Sequence, residues 1–172
     1  KFYYMHMEDD LSDDLLKEYE LAVKKRAEHI PLQQLTGEQE FMGLTFSVNE
    51  HVLIPRQDTE VLVEEVMKNL HDGFRILDLC TGSGCILLSL LHYSNDCSGV
   101  GADLSEEALE VARKNAEQLG ESSALFVQGD LFAPVEGKFE IIVSNPPYIC
   151  SDVIPTLMEE VREHEPMQAL DG

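Results

Sequence analysis

The tetrapeptide Asn145-Pro146-Pro147-Tyr148 is the stretch of this sequence best suited to chemistry. It places an amide, a backbone carbonyl that the prolines leave without a ladder partner, and an aromatic ring side by side. Amide and carbonyl oxygens accept hydrogen bonds, and an aromatic ring packs against planar groups. The combination predicts a catalytic turn. A rigid proline turn with an asparagine cap is the purely structural alternative.

The run before this turn, Phe139-Glu140-Ile141-Ile142-Val143-Ser144, has to position it. The run is short and rich in β-branched residues, and it stops at two prolines that cannot donate to a strand ladder. It therefore predicts a buried β-strand. Open α/β sheets place their ligands where the chain turns away at the carboxyl ends of strands. We expect the candidate turn at such an edge.

A glycine-rich loop, Cys80-Thr81-Gly82-Ser83-Gly84, is the second candidate site. It joins a predicted buried strand at residues 74–79 to an apolar helix at residues 85–93. Glycines let the backbone approach a ligand closely, and the amino end of a helix presents N–H groups without partners. The dinucleotide fingerprint would need a glycine at Leu87, so a nicotinamide cofactor is disfavoured. Asp78, within the strand, is predicted either to contact the ligand or to orient the loop.

Acids at the ends of two further predicted strands extend this candidate site. Asp103 ends one strand and follows Gly82 by 21 positions, close to the ~20-residue interval at which such acids bind ribose hydroxyls. Asp130 and Leu131 follow the strand Ala124-Leu125-Phe126-Val127. A helix-capping acid and a plain loop acid are the structural alternatives. Joint placement at successive strand ends favours ligand binding, and the alternation of strands and helices predicts an α/β fold.

The first part of the chain predicts structure without identifiable chemistry. Residues 8–30 have apolar positions at helical spacing and acids near their start, which predicts a helix that docks on a hairpin or belongs to a larger helical bundle. Short apolar runs separated by turn residues predict strands at residues 39–41, 44–48 and 52–54.

Two more helices are predicted from apolar spacing. Asp58-Thr59-Glu60 is predicted to supply the N-cap and an acidic first turn for a helix with apolar positions from Val61 to Leu70. Residues 152–163 predict a helix after the candidate turn.

The composition disfavours several classes of function. Twelve basic and 33 acidic residues give a net charge of −21, and no basic stripe is visible, so direct nucleic-acid binding is not expected. The sequence has no apolar run of about 20 residues and no signal peptide, so no membrane contact is expected. Four cysteines without a Cys-x-x-Cys pair and six histidines without metal-ligand spacing predict a reduced, cytoplasmic protein with no bound metal.

These motifs resemble those of a known enzyme class. An Asn-Pro-Pro-Tyr turn that ends a strand resembles the signature of S-adenosylmethionine-dependent methyltransferases that methylate planar nitrogens. The pattern Asp-x-x-x-Gly-x-Gly, which begins at Asp78, resembles the first motif of class I methyltransferases. Those enzymes more often have glycine at the position of Cys80. The resemblance implies a Rossmann-like fold that binds S-adenosylmethionine and releases S-adenosylhomocysteine.

The same resemblance implies a role for each candidate residue. In the catalytic turn Asn145-Pro146-Pro147-Tyr148, the Asn145 side-chain oxygen and the Pro146 carbonyl would accept the two hydrogens of a planar amine, and Tyr148 would pack against it. Catalysis would come from positioning and electrostatics, without a nucleophilic side chain. Asp130 and Leu131 would border the adenine. The implied cofactor-binding residues are Asp78, Cys80, Thr81, Gly82, Ser83, Gly84, Asp103, Asp130, Leu131 and Asn145.

A narrower resemblance lies in the linker. Leu35-Thr36-Gly37, Glu40-Phe41 and Ile54-Pro55-Arg56-Gln57-Asp58-Thr59-Glu60 are similar to the linker of the release-factor glutamine methyltransferases, the PrmC/HemK family. That family often has proline at the position of Gln57. The resemblance implies the remnant of a helical domain at residues 1–34, a hairpin linker at residues 35–56 and a truncated methyltransferase domain at residues 57–172. It also implies methylation of the glutamine in the Gly-Gly-Gln loop of peptide chain release factors, which would be the protein partner.

Three alternatives stay open. Ribosomal-protein glutamine methyltransferases share the Asn-Pro-Pro-Tyr turn but usually differ after the Pro-Arg pair. A nucleic-acid amino-methyltransferase acting on adenine or guanine would share both motifs, and a non-catalytic module could bind the cofactor without transfer. Since the class I fold continues with strands beyond this turn and Lys1 is not an initiator, we expect the sequence to be a piece of a longer enzyme.

Overall fold

The computed structural model describes residues 12–172. The predicted start of the first helix, at residue 8, lies outside this range. In chain order the helices and strands are α1 (Asp13–Ala27), α2 (Leu32–Thr36), β1 (Glu38–Phe41), β2 (Leu44–Ser47), α3 (Gln57–Met67), β3 (Arg75–Leu79), α4 (Cys85–His92), β4 (Ser98–Asp103), α5 (Glu106–Leu119), β5 (Ala124–Gln128), β6 (Ile141–Ser144) and α6 (Glu159–His164), with 3-10 turns at Ile154–Thr156 and Met167–Ala169.

A four-stranded parallel sheet forms the centre of the fold, with its strands in the order β5-β4-β3-β6. Leu79 of β3 pairs with Ala102 of β4 on one side and with Ser144 of β6 on the other. Asp103 of β4 pairs with Gln128 of β5. This register brings the carboxyl ends of all four strands to one edge of the sheet. The predicted α/β class is therefore confirmed.

Helix α4 covers the centre of the sheet because it is apolar on every side. All of its residues from Cys85 to Leu91 are buried. Gly99 in β4 allows α4 to approach the sheet closely, since a Cβ at that position would clash with Cδ1 of Leu87. Helix α5 is amphipathic and begins with the Ser105 side chain accepting a hydrogen bond from the Ala108 N–H.

The predicted hairpin is present, but its third strand is not. Strands β1 and β2 are antiparallel and are joined by Met42 and Gly43, both with positive φ, which matches the twist of a two-residue hairpin turn. Residues 52–54 form irregular chain, so the predicted strand there is wrong. Val52 is buried because it packs with residues of α5. This packing, rather than a place in a strand, explains its apolar side chain.

Helix α1 ends at Ala27, earlier than predicted, and its apolar positions Leu15, Tyr19 and Val23 are exposed. Of the two predicted alternatives, docking on the hairpin is not observed within residues 12–172, and membership of a larger helical bundle stays a prediction. A short helix, α2, follows after Pro31.

Two further predictions about helices need correction. Arg56 is the N-cap of α3, so the predicted N-cap within Asp58-Thr59-Glu60 is wrong, whereas the predicted acidic first turn is confirmed by Asp58 and Glu60. The Glu60 carboxylate accepts a hydrogen bond from the Met42 N–H. The helix predicted at residues 152–163 is divided into a 3-10 turn and α6. Pro155 lies in the 3-10 turn, and its missing N–H and its ring disfavour a continuous α-helix there.

Candidate functional site

A cavity of about 510 Å³ opens at the carboxyl edge of the sheet. Its walls come from the loops after β3, β4, β5 and β6, from the linker between β2 and α3, and from the segment after α6. Small-molecule sites usually have volumes of about 300–1,000 Å³. Ten predicted site residues line it: Cys80, Thr81, Gly82, Ser83, Asp103, Asp130, Leu131, Asn145, Pro146 and Pro147.

The strand order places four of these loops in a row. Strands β6, β3, β4 and β5 are neighbours in that order. Asn145, Cys80 and Gly129 directly follow β6, β3 and β5, and Asp103 is the last residue of β4, so the four residues lie at adjacent strand ends. With about 4.8 Å between neighbouring strands, the row spans about 14 Å. A row of this length suits an elongated ligand with different groups along it.

The glycine-rich loop has a backbone that explains its composition. Cys80, Gly82 and Gly84 all have positive φ, at 59°, 55° and 78°, in the region that favours glycine. A Cβ on Gly84 would also lie 3.1 Å from Leu88 and 3.2 Å from Ala112. Cys80 therefore occupies a position whose backbone favours the glycine that is common in class I methyltransferases. Burial, and then the carboxylates of Asp103 and Asp78, raise the pKa of its thiol, which keeps it neutral near pH 7.

Asp103 is held in place by backbone groups on two sides. Its Oδ2 accepts a hydrogen bond from the Gly82 N–H at 2.8 Å, and its Oδ1 accepts one from the Ser105 N–H at 3.0 Å. Each carboxylate oxygen can accept a second hydrogen bond. Because Asp103 also lines the cavity, it can present two acceptor positions to a pair of neighbouring hydroxyl groups.

Asp78 lies behind the loop and does not line the cavity. It is fully buried, and its Oδ2 accepts a hydrogen bond from the Thr81 hydroxyl at 2.7 Å. Its Oδ1 has no partner among residues 12–172. Burial raises the pKa of Asp78 to about 7. Of the two predicted roles, this placement favours orientation of the loop over direct contact with a ligand.

The loop after β5 closes the far end of the cavity. The Gly129 N–H donates to the Asp103 backbone carbonyl at 2.9 Å, which attaches this loop to β4. Asp130 and Leu131 both line the cavity, and Leu131 has a φ of 46°. Such left-handed conformations of bulky residues cost free energy and cluster at ligand sites.

At the other end of the row, the proline turn contributes Asn145, Pro146 and Pro147 to the wall. The Ser144 hydroxyl donates to the Leu79 carbonyl at 2.9 Å, which fixes the end of β6 beside the glycine-rich loop. The Asn145 side chain is half-buried and makes no hydrogen bond within residues 12–172, so its oxygen is free to accept one from a ligand. Tyr148 is 76% exposed and lies outside the wall, so its packing role stays a prediction.

Two parts of the wall were not predicted as site residues. The linker contributes His51, Val52, Leu53, Pro55 and Arg56, followed by Thr59 in the first turn of α3, and the segment after α6 contributes Pro166, Gln168 and Ala169. Arg56 and Glu165 form an ion pair between these two parts. The only sequence signal for them is their place in segments that resemble the methyltransferase family.

Comparison with known proteins shows the family of this chain. The family model described as "Methyltransferase small domain" matches residues 56–161. The chain belongs to this family. A second family model, the PrmC N-terminal domain, matches residues 1–37.

Curated relatives of this chain point to one group within the family. A release factor glutamine methyltransferase from Agrobacterium fabrum is 41% identical over 177 residues, which cover 99% of this chain and 61% of that protein. A protein of the same name from Moorella thermoacetica is 45% identical over 170 residues, covering 96% of this chain and 60% of that protein. The predicted relationship to the release-factor glutamine methyltransferases is confirmed. The chain spans about three-fifths of the length of these relatives.

Solved structures are similar to this chain at the level of the fold. Wild-type Trm5b from Pyrococcus abyssi is similar with a TM-score of 0.57 and 17% identity, covering 65% of this chain and 34% of that one. The tRNA m1G37 methyltransferase of M. jannaschii has a TM-score of 0.55 and 16% identity, covering 69% and 37%. The predicted Rossmann-like, class I methyltransferase fold is confirmed.

None of the helices within residues 12–172 combines the length and the apolar character that a membrane span requires.

Proposed function

We propose that this methyltransferase transfers a methyl group from S-adenosylmethionine to the side-chain amide nitrogen of the glutamine in the Gly-Gly-Gln loop of peptide chain release factors. One observation carries the proposal. The Asn145-Pro146-Pro147 turn lines the same cavity as the glycine-rich loop and Asp103. A group that accepts amide hydrogens therefore faces a site suited to a nucleoside.

The residues of the cavity fit the methyl donor. The glycine-rich loop allows close approach of the donor, and Asp103 offers two fixed oxygens that suit the ribose hydroxyls. Asp130 and Leu131, three strands away from the proline turn, would border the adenine. S-adenosylmethionine supplies an electrophilic methyl group when bound, and S-adenosylhomocysteine is its product.

The proline turn would overcome the low reactivity of the amide. An amide nitrogen is a poor nucleophile because its lone pair is delocalised into the carbonyl group. The Asn145 Oδ1 and the Pro146 carbonyl oxygen can accept the two amide hydrogens and so hold the nitrogen in one orientation. No nucleophilic side chain is required, because orientation of the amide and electrostatic stabilisation lower the barrier.

A transfer assay with labelled donor tests the proposal. We expect label on a release factor and none on its Gly-Gly-Gln variant in which the glutamine is changed to alanine. Equal labelling of both proteins would exclude this substrate. Ribosomal protein and nucleic acid serve as parallel substrates in the same assay, and labelling of either one in place of the release factor would support the corresponding alternative.

A further inference from the structure

Asn115 is a buried polar residue whose side chain leaves its own helix to bind two other parts of the fold. It lies in α5 with none of its surface exposed. Its Oδ1 accepts a hydrogen bond from the Ser47 N–H at 2.7 Å. Its Nδ2 donates to the Ser47 carbonyl at 3.1 Å and to the Ser83 carbonyl at 2.9 Å.

These partners fix the orientation of the Asn115 amide. Two carbonyl oxygens need donors and one N–H group needs an acceptor, so a flipped amide would leave like groups facing each other. The two carboxamide atoms pair with both backbone groups of Ser47, as a neighbouring strand would. Because the site is buried, loss of any of these bonds would leave a polar group without a partner.

The two partners of Asn115 lead to different walls of the cavity. Ser83 lies in the glycine-rich loop between Gly82 and Gly84 and lines the cavity. Ser47 ends β2, and the chain continues from it into the linker, which also lines the cavity with His51 and Arg56. Val48 and Val52 of the linker pack on α5, but this apolar contact does not include the glycine-rich loop. The side chain of Asn115 binds both Ser83 of that loop and Ser47, the residue directly before the linker.

We infer that Asn115 is a positioning residue, which sets the glycine-rich loop relative to the linker and so shapes the binding site for the methyl donor. The inference rests on the proposed function, because it concerns the donor site. It assigns to Asn115 an effect on donor affinity in addition to its effect on stability.

The variant Asn115→Asp tests this assignment with little change in size. It keeps an acceptor for the Ser47 N–H but turns a carboxylate oxygen towards the carbonyls of Ser47 and Ser83. We expect the Kd for S-adenosylhomocysteine, measured by calorimetry below the unfolding temperature, to rise about tenfold or more near pH 8. A buried aspartate has a raised pKa and can donate one hydrogen bond when protonated. The difference in Kd between Asn115→Asp and the unchanged protein should therefore be smaller near pH 5.5.

Gln118 provides a matched control one turn further along α5. It donates to the Thr45 carbonyl at 3.2 Å and accepts from the Ser47 hydroxyl at 3.3 Å, so it binds the same strand without reaching the loop. We expect Gln118→Leu to leave the Kd within about twofold, even if stability falls. An unchanged Kd in Asn115→Asp, or an equal loss in both variants, would overturn the inference.

A second measurement needs no substitution and decides the matter if Asn115→Asp does not fold. Hydrogen exchange of the unchanged protein compares the Ser47 N–H, bound to Asn115, with the Val48 N–H, bound to the Gly37 carbonyl at 2.9 Å. S-adenosylhomocysteine should slow exchange at Ser47 more than at Val48. If S-adenosylhomocysteine binds but protects the Ser47 and Val48 N–H groups equally, the inference about Asn115 is overturned and the proposed function is not. No binding by the unchanged protein would overturn the proposed function and the inference with it.

Discussion

Replacing Arg56 with alanine leaves a buried carboxylate without its counter-ion. The Glu165 side chain is 1% exposed and the Arg56 side chain 42% exposed, and Nη2 of Arg56 binds Oε1 of Glu165. The second carboxylate oxygen, Oε2, has no hydrogen-bond partner among residues 12–172. The free energy of unfolding should therefore be sensitive to this pair.

The expected magnitude follows from the different exposure of the two partners. Removing one member of a fully buried ion pair costs about 3–5 kcal/mol. Water screens the half-exposed Arg56, so we expect Arg56→Ala to lower the free energy of unfolding by about 2 kcal/mol near pH 8. Glu165→Gln removes the buried charge and should cost about 1 kcal/mol or less. The double variant should then be more stable than Arg56→Ala alone.

The loss should also depend on pH. Burial raises the pKa of Glu165 above its ordinary value of 4.5, although Arg56 opposes this. A carboxyl whose pKa is raised in the folded state contributes stability that is complete below its ordinary pKa and is lost as the pH rises through the raised value. Without Arg56 the pKa rises further. The cost of Arg56→Ala should consequently grow between about pH 5 and about pH 8.

Urea unfolding of the three variants at both pH values measures these effects. An Arg56→Ala cost below about 0.5 kcal/mol at the higher pH, comparable to a surface substitution, would refute the reasoning. So would a cost that is the same at both pH values. Because Glu165 directly precedes Pro166 in the cavity wall, the same variant should weaken donor binding as well.

Three further predictions concern residues in and behind the cavity wall. Asn145→Ala should retain S-adenosylhomocysteine binding in calorimetry and lose methyl transfer; lost binding would instead place Asn145 among the donor contacts. Cys80→Gly should retain donor binding because its φ of 59° favours glycine, whereas Cys80→Val should weaken it, and equal affinities would contradict the role of this backbone conformation. Burial raises the pKa of Asp78 from 3.8 to about 7. The protonated Asp78 therefore contributes stability that is lost as the pH rises from about 4 to about 7. The free energy of unfolding should fall by up to about 1.4 kcal/mol per pH unit in this range. Asp78→Asn should remove that slope in urea unfolding, and an unchanged slope would contradict the raised pKa.

The sequence was sufficient to predict the sheet and the residues at its edge. Each strand is a short apolar run that ends at a polar or glycine-rich loop, and parallel strands bring such loops together at one edge. Gly82, Asp103, Asp130 and Asn145 could therefore be placed near each other before the structure was known. These predictions depend on local patterns and on one general rule of topology.

Features that depend on distant contacts could not be predicted. Val52 has the apolar character of a strand residue, but it is buried against α5 and has no strand partner. Tyr148 belongs to the proline motif, yet the turn carries it away from the cavity. Asn115 had one available signal, since it interrupts the apolar stripe formed by Ala112, Ala116 and Leu119 of α5. Its partners, Ser47 and Ser83, are separated from it by 68 and 32 positions.

The pairing of β6 with β3 is what unites the two motifs in one site. Leu79 and Ser144 are 65 positions apart in the chain, but they are paired across the sheet and joined by a hydrogen bond. Cys80 and Asn145 then leave adjacent strands at the same level. A shift of this pairing by one residue would reverse the faces of all side chains in β6 and move Asn145 out of line with the glycine-rich loop. A proline turn or a glycine loop alone has many structural explanations. Their fixed separation of one strand spacing, about 4.8 Å, favours a group that travels between a bound donor and an amide held beside it.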